Sequence, residues 1–123
     1  MIFNTRYITQ RKFEYAQTNN PLLLVAYNGN DPIGFKLGYE IPATKTFFSW
    51  LGGVHSDHRR QGIANSLLAL QEESVRDAGL EKIYFTTFDR FPEMINLGKK
   101  NLYQLNKSEL DDGEMKYWYE KRL

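Results

Sequence analysis

Residues 54–64, VHSDHRRQGIA, run from the end of a strand through a turn into a helix, and their chemistry is that of an anion site. The first amides of a helix have no partner inside it, and the helix dipole places partial positive charge there. Gly62 lets a phosphate come close to the backbone where a side chain would stand in the way. Ala64 is small for the same reason one step further in, while Arg59 and Arg60 add charge-assisted donors at the mouth. Taken singly, each of these residues also fits a solvated turn into an ordinary helix. Only the whole string separates the two readings.

Upstream of it, TFFSWLGGV (46–54) alternates as a strand does until Gly52-Gly53, where glycine inside a strand predicts a bulge or a close backbone approach. Further back, LLLVAY (22–27) and IGFKLGYE (33–40) flank Asn28-Gly29-Asn30-Asp31-Pro32 and predict a hairpin, with Ile33, Phe35, Leu37 and Tyr39 as its alternating apolar set. Residues 9–19 read as a short helix ended by Asn19-Asn20-Pro21. Downstream, residues 62–78 carry Ile63, Leu67, Leu68, Leu70 and Val75 at helical spacing, with Gly79 as the C-terminal cap. KIYFTTF (82–88) is a buried strand, so the helix before it is a crossover between parallel neighbours. PEMINLGKK (92–100) is helical, and LYQLNKSEL and EMKYWYEKRL flank a second hairpin turn at Asp111-Asp112-Gly113.

The string Val54, Arg59, Gly62, Ala64, leading from strand into helix, resembles the central motif of the GCN5-related N-acetyltransferase (GNAT) superfamily, V-x-P-x-x-R-x-x-G-x-G/A, with Ser56 where proline is usual. The resemblance extends to Asp77-Ala78-Gly79-Leu80 and Lys82-Ile83-Tyr84-Phe85 and covers the chain from about residue 22 onward. It implies one domain over residues 1–123, of the α+β (α/β) class. The expected core is a mixed, mostly antiparallel central sheet around a β-α-β coenzyme A-binding unit, with flanking helices. By the same resemblance the backbone of Arg60, Gln61, Gly62, Ile63 and Ala64 holds the coenzyme A pyrophosphate, with Arg59 at its mouth. The pantetheine arm runs beside Gly52, Gly53 and Val54. The implied reaction is acetyl transfer from acetyl-CoA to a primary amine by direct attack, with no covalent intermediate. The runner-up is a catalytically degenerate coenzyme A-binding module.

Two departures from the family pattern bear on function. Only twenty residues precede Pro21, so the usual first strand and one helix are expected to be missing, and an exposed sheet edge then points to a homodimer. The family's general acid is a tyrosine on the helix after KIYFTTF; counting without gaps puts Leu97 or Gly98 there. Tyr103 becomes the acid only if FDRFP is an insertion, and otherwise it is an aromatic at the start of the next strand. The FFSWLGG strand offers no glutamate as a base. Phe47, Phe48, Trp50, Tyr84 and Phe88 either line an acceptor pocket or form core.

Composition limits the alternatives. A formal charge of +1 over 123 residues gives no global field for nucleic acid or anionic membranes. Without cysteine there is no thiolate nucleophile and no cysteine-ligated zinc, and His55 and His58 lack a third ligand at metal spacing, so no metal is expected. The longest apolar run, Leu22 to Tyr27, is too short to cross a bilayer, and MIFNTRYITQRK lacks a signal-peptide core. A soluble, cytoplasmic protein is the expectation. Gly-Lys-Ser/Thr and Gly-x-Gly-x-x-Gly loops are both absent, which disfavours an unrelated nucleotide-binding domain.

Overall fold

The computed structural model describes residues 16–123. The strands are β1 (Leu22–Asn28), β2 (Asp31–Ile41), β3 (Thr46–Val54), β4 (Lys82–Phe88), β5 (Gln104–Asp111) and β6 (Glu114–Arg122). Helix α1 (Ile63–Asp77) links β3 to β4, and α2 (Pro92–Lys100) links β4 to β5. The strands form one sheet in the order β1-β2-β3-β4-β6-β5, antiparallel everywhere except between β3 and β4. Of the helix expected over 9–19, residues 16–18 are helical, Asn19 is a bend, and residues 9–15 lie outside the described residues.

Local chemistry explains the turns. Asp112 and Gly113 both have positive φ (50° and 82°), the requirement of a two-residue turn whose twist matches its strands, and Asp111 pairs with Glu114 across it. Asn20 takes a left-handed φ of 50° before Pro21, where proline disfavours the helical region, and its side chain donates to Glu40 Oε2 at 3.2 Å.

The core lies between α1 and the sheet. Leu67, Leu68, Gln71, Glu72 and Val75 are the buried stripe of α1. Leu68 and Val75 pack with Phe47 of β3, Ile83 and Phe85 of β4, Tyr119 of β6 and Tyr103. Each fully buried apolar side chain of this size contributes about 1.5–3 kcal/mol, so these few residues carry much of the sheet's attachment to α1.

Two irregularities in β3 decide the shape of the site. The pairing of β2 with β3 is Leu37↔Leu51 and then Gly38↔Ser49, which leaves Trp50 as an extra residue. The bulge expected at Gly52-Gly53 therefore sits two residues earlier, because Gly52 and Gly53 pair regularly with Lys36 and Phe35. Strands β3 and β4 pair through only Thr46↔Lys82, Phe47↔Ile83 and Phe48↔Tyr84. Beyond these rungs the strands part, and residues 49–54 and 85–88 bound a wedge in the sheet.

Candidate functional site

The wedge opens toward the turn that leads into α1. His55 N–H donates to Ile33 O at 2.7 Å, and a single 3-10 turn over Ser56–His58 follows, capped by a bond from Asp57 N–H to His55 Nδ1 at 3.2 Å. Arg59 folds back over the strand end, its Nε donating to Val54 O at 3.2 Å. Arg60 has φ 62° and Gly62 has φ 79°, so the chain makes two left-handed steps before α1 begins. Gly62 is the N-cap and supplies no side-chain cap, and the first turn holds no acidic residue. The first bond closing the helix runs from Ser66 N–H to Gly62 O at 3.0 Å. The amides of Ile63, Ala64 and Asn65 precede it, aligned with the positive end of a fifteen-residue helix. Arg59, Arg60, Gln61, Gly62 and Ala64 are exposed and Ile63 is half-buried.

Helix α2 closes beside this turn. Asn101 Nδ2 donates both to Asn65 Oδ1 at 2.9 Å and to Leu97 O at 2.8 Å, tying the end of α2 to the first turn of α1. Lys99 and Lys100, exposed in the last turn of α2, stand next to that tie. Nothing in the motif points to them; the Asn101–Asn65 bond places the end of their helix at the first turn of α1.

Along the β3 wall of the wedge, Gly53 and Val54 are buried and Gly52 half-buried. Tyr103 lies one residue before β5 and is 4% exposed. Its hydroxyl donates to Glu72 Oε2 at 2.7 Å, and its ring centroid is 5.2 Å from that of Phe85. Burial, the bond to Glu72 and that carboxylate's charge all push the Tyr103 pKa up. Glu72 Oε1 also accepts from Lys121 Nζ at 3.0 Å. Gly98 is buried on α2, where a Cβ would come within 2.6 Å of the Phe85 ring.

Sequence patterning gave no signal for Lys36. It is 6% exposed, and its side chain passes over Gly52: a Cβ there would lie 3.5 Å from Lys36 Nζ and 3.6 Å from its Cγ. Burial lowers its pKa from 10.5 to about 8, with Glu72 acting in the opposite sense.

The aromatic residues divide between the two faces. Phe47 is core, whereas Phe48 stacks on Tyr84 at 4.7 Å and meets Tyr39 edge-on at 5.4 Å. Trp50, the bulge residue, meets Tyr39 at 5.8 Å. His55 and His58 have ring centroids 6.1 Å apart, and no group of three or more metal-ligating side chains occurs among the described residues. No helix among the described residues is long and apolar enough to cross a membrane.

Comparison with known proteins agrees with this architecture. The model of the acetyltransferase (GNAT) family matches residues 2–103. A GNAT family acetyltransferase from Elizabethkingia anophelis with acetyl-CoA bound is similar over 94% of this chain and 84% of its own, at 16% identity and a TM-score of 0.76. An acetyltransferase from Bacillus cereus ATCC 14579 is similar over 100% of this chain and 97% of its own, at 21% identity and a TM-score of 0.74. PaiA N-acetyltransferase from Thermoplasma acidophilum in complex with coenzyme A is similar over 92% of this chain and 68% of its own, at 16% identity and a TM-score of 0.74. At these identities the likeness is one of fold. No curated protein matches.

Proposed function

The chain belongs to the acetyltransferase (GNAT) family, and on that premise we propose that it is an N-acetyltransferase acting on a primary amine. Acetyl-CoA supplies the acyl group, activated as a thioester. The observation that carries this reading is a wedge between β3 and β4 opening onto an uncapped helix N-terminus that has no acid in its first turn. Amides over Arg60–Ala64 take the pyrophosphate, and Arg59 and Arg60 add positive charge. The open main-chain edge of Gly52, Gly53 and Val54 pairs with the amides of the pantetheine arm, as an added strand would.

In this reading the reaction is direct attack, which needs no nucleophilic side chain on the enzyme. The amine must be neutral to attack, so its proton passes to water, and backbone donors at the wedge stabilise the developing oxyanion. The acceptor approaches from the side of Tyr39, Phe48 and Trp50. The absence of cysteine fits a cytoplasmic setting.

A second reading, a coenzyme A-binding module without turnover, draws support from the positions of Tyr103 and Gly98. The first is committed to Glu72 and the second to the Phe85 ring. The deciding experiment incubates the protein with acetyl-CoA and a panel of small amines, following thiol release alongside a thermal-shift titration. Release with at least one amine supports the enzyme, and stabilisation without release on any amine supports the module. No stabilisation by coenzyme A removes both.

A further inference from the structure

Lys36 pairs with Leu24 of β1 and Gly52 of β3, and it lies on the α1 face of the sheet. Two residues earlier on the same face, a Cβ at Gly34 would touch Ile63 and Leu67 of α1. Because Gly52 has no side chain, the Lys36 stem crosses β3 there, at the stretch where β3 has left β4. The carboxylate of Glu72 is held from the far side of the wedge by the Tyr103 hydroxyl at 2.7 Å and by Lys121 Nζ at 3.0 Å, and Lys121 itself pairs with Ile83 of β4.

The charged groups facing this space are thus Glu72 from α1, Lys36 from β2 and Lys121 from β6, with the neutral Tyr103 beside them. Lys121 pairs with the one carboxylate and Lys36 does not, so one positive charge is left over. Lys121 Nζ lies 3.0 Å from Glu72 Oε1, whereas Lys36, 6% exposed, makes no ion pair among the described residues, so the uncompensated charge falls on Lys36. Among the described residues, no hydrogen bond is made by the Lys36 side chain. A buried ammonium in that position is costly unless an anion arrives or a proton leaves. The neighbouring interior is polar as well: Gln71 Nε2 and Oε1 and Ser49 Oγ are buried without a partner among the described residues.

We propose that Lys36 is the proton donor to the coenzyme A sulfur as the thioester breaks, a part that α2 cannot supply because Gly98 packs on the Phe85 ring. The proposal rests on the wedge being the pantetheine channel. In the step, the acceptor nitrogen bonds to the acyl carbon and the carbon–sulfur bond breaks with its electron pair on sulfur. One Nζ proton passes to that sulfur and leaves Lys36 neutral. The proton shed by the amine goes to water, and Lys36 regains one from solvent, so the products are an amide and free coenzyme A thiol. The energetics suit the transfer: a thiol ordinarily titrates at about 8.5, and a donor near the same value transfers with little thermodynamic cost. The burial-lowered pKa of Lys36, about 8, meets that condition.

The test uses coenzyme A alone, so no acceptor need be known. Calorimetry measures its affinity for the unsubstituted protein and for Lys36→Met, and thiolate absorbance follows the titration of the bound thiol. We expect affinities within about threefold of each other, because the pyrophosphate seat is untouched. We expect the bound thiol to titrate about one pH unit or more higher in Lys36→Met, where the facing charge is gone. Equal thiol titration in the two proteins overturns the role of Lys36 and leaves the channel standing. No binding to the unsubstituted protein overturns the channel itself. Should Lys36→Met fail to fold, lysine-selective nitrogen NMR of the unsubstituted protein decides. The Lys36 titration moves on adding coenzyme A if the two groups meet, and an unmoved titration overturns the proposal.

Discussion

With φ at 79°, Gly62 occupies a conformation that costs other residues roughly 1–2 kcal/mol, yet nothing lies within 4 Å of where its Cβ would point. That combination separates two effects. Gly62→Ala carries the strain without blocking the seat by charge, whereas Gly62→Glu places an anion where the pyrophosphate is proposed to lie. Both variants should fold, and Gly62→Glu alone should lose coenzyme A binding by about two orders of magnitude or more, read by calorimetry. Lys36 supports a second prediction. Its pKa is about 8 in the fold against 10.5 in the unfolded chain. Below about 8 both states hold the proton and the fold carries the whole penalty. Between about 8 and 10.5 the unfolded chain binds the proton that the fold has shed, so stability climbs with pH. Lys36→Met should therefore stabilise the protein at pH 7 by on the order of 3 kcal/mol, and urea titrations repeated at higher pH should show that advantage shrinking. Lys36 was illegible in IGFKLGYE for a physical reason. The alternation of Ile33, Phe35, Leu37 and Tyr39 marks one face as apolar and assigns Lys36 to solvent. Of that apolar set only Tyr39 is buried, and Gly34, Lys36 and Gly38 are the residues on the face toward α1 and Phe47.

Helix α1 was readable because its apolar residues keep the helical period that its buried face demands, and β4 because KIYFTTF is a short apolar-rich run buried at Ile83, Phe85, Thr87 and Phe88. The position of the β3 bulge was not. A glycine pair looks like a break in a strand, but here Gly52 and Gly53 stay in register, and Trp50, a good strand former, is the extra residue. The end of α2 fell at Lys100 as expected, although the left-handed step after it is taken by Leu102, with φ 68°, where glycine would have signalled the stop. Tyr103 N–H then donates to Gly98 O at 2.9 Å, which closes the helix over Phe85. Inside a helix, alanine normally improves on glycine by about 1 kcal/mol. At Gly98 the added Cβ would meet Phe85 Cζ at 2.6 Å, with the ring fixed by Tyr103 and Tyr119 on other sides. The collision should win: Gly98→Ala is expected to lose about 1–3 kcal/mol in a urea melt, and a tyrosine there would need α2 to move.

At the scale of the molecule, the sheet among the described residues ends in two edges of different character. Strand β5 is exposed over residues 104–110 and carries Lys107 and Glu109, charges that discourage edge-to-edge pairing. Strand β1, LLLVAYN, carries no charge, pairs only with β2 among the described residues, and exposes Leu23 and Tyr27. A homodimer should therefore form through β1. Light scattering at micromolar concentration is expected to give twice the chain's mass, and replacing Leu23 by lysine should return it to one chain. A monomeric mass in the unsubstituted protein would refute the pairing.

The three rungs that join β3 to β4 also make the molecule mechanically uneven. Strands β1, β2 and β3 with α1 on top form one slab, and β4, β5 and β6 with α2 form another. Between them stand a short weld of main-chain bonds, the core side chains and the single tether from α1 through Gly79 to β4. A load drawing the outer edges apart would find its line of fracture along the wedge, since a crack is already open there. The same line makes the stretch at residues 79–81 the natural place to divide the chain. Two fragments cut there would each carry one wall of the channel, and they would rejoin along a main-chain seam of three residue pairs and through the packing of α1 on Ile83, Phe85 and Tyr119.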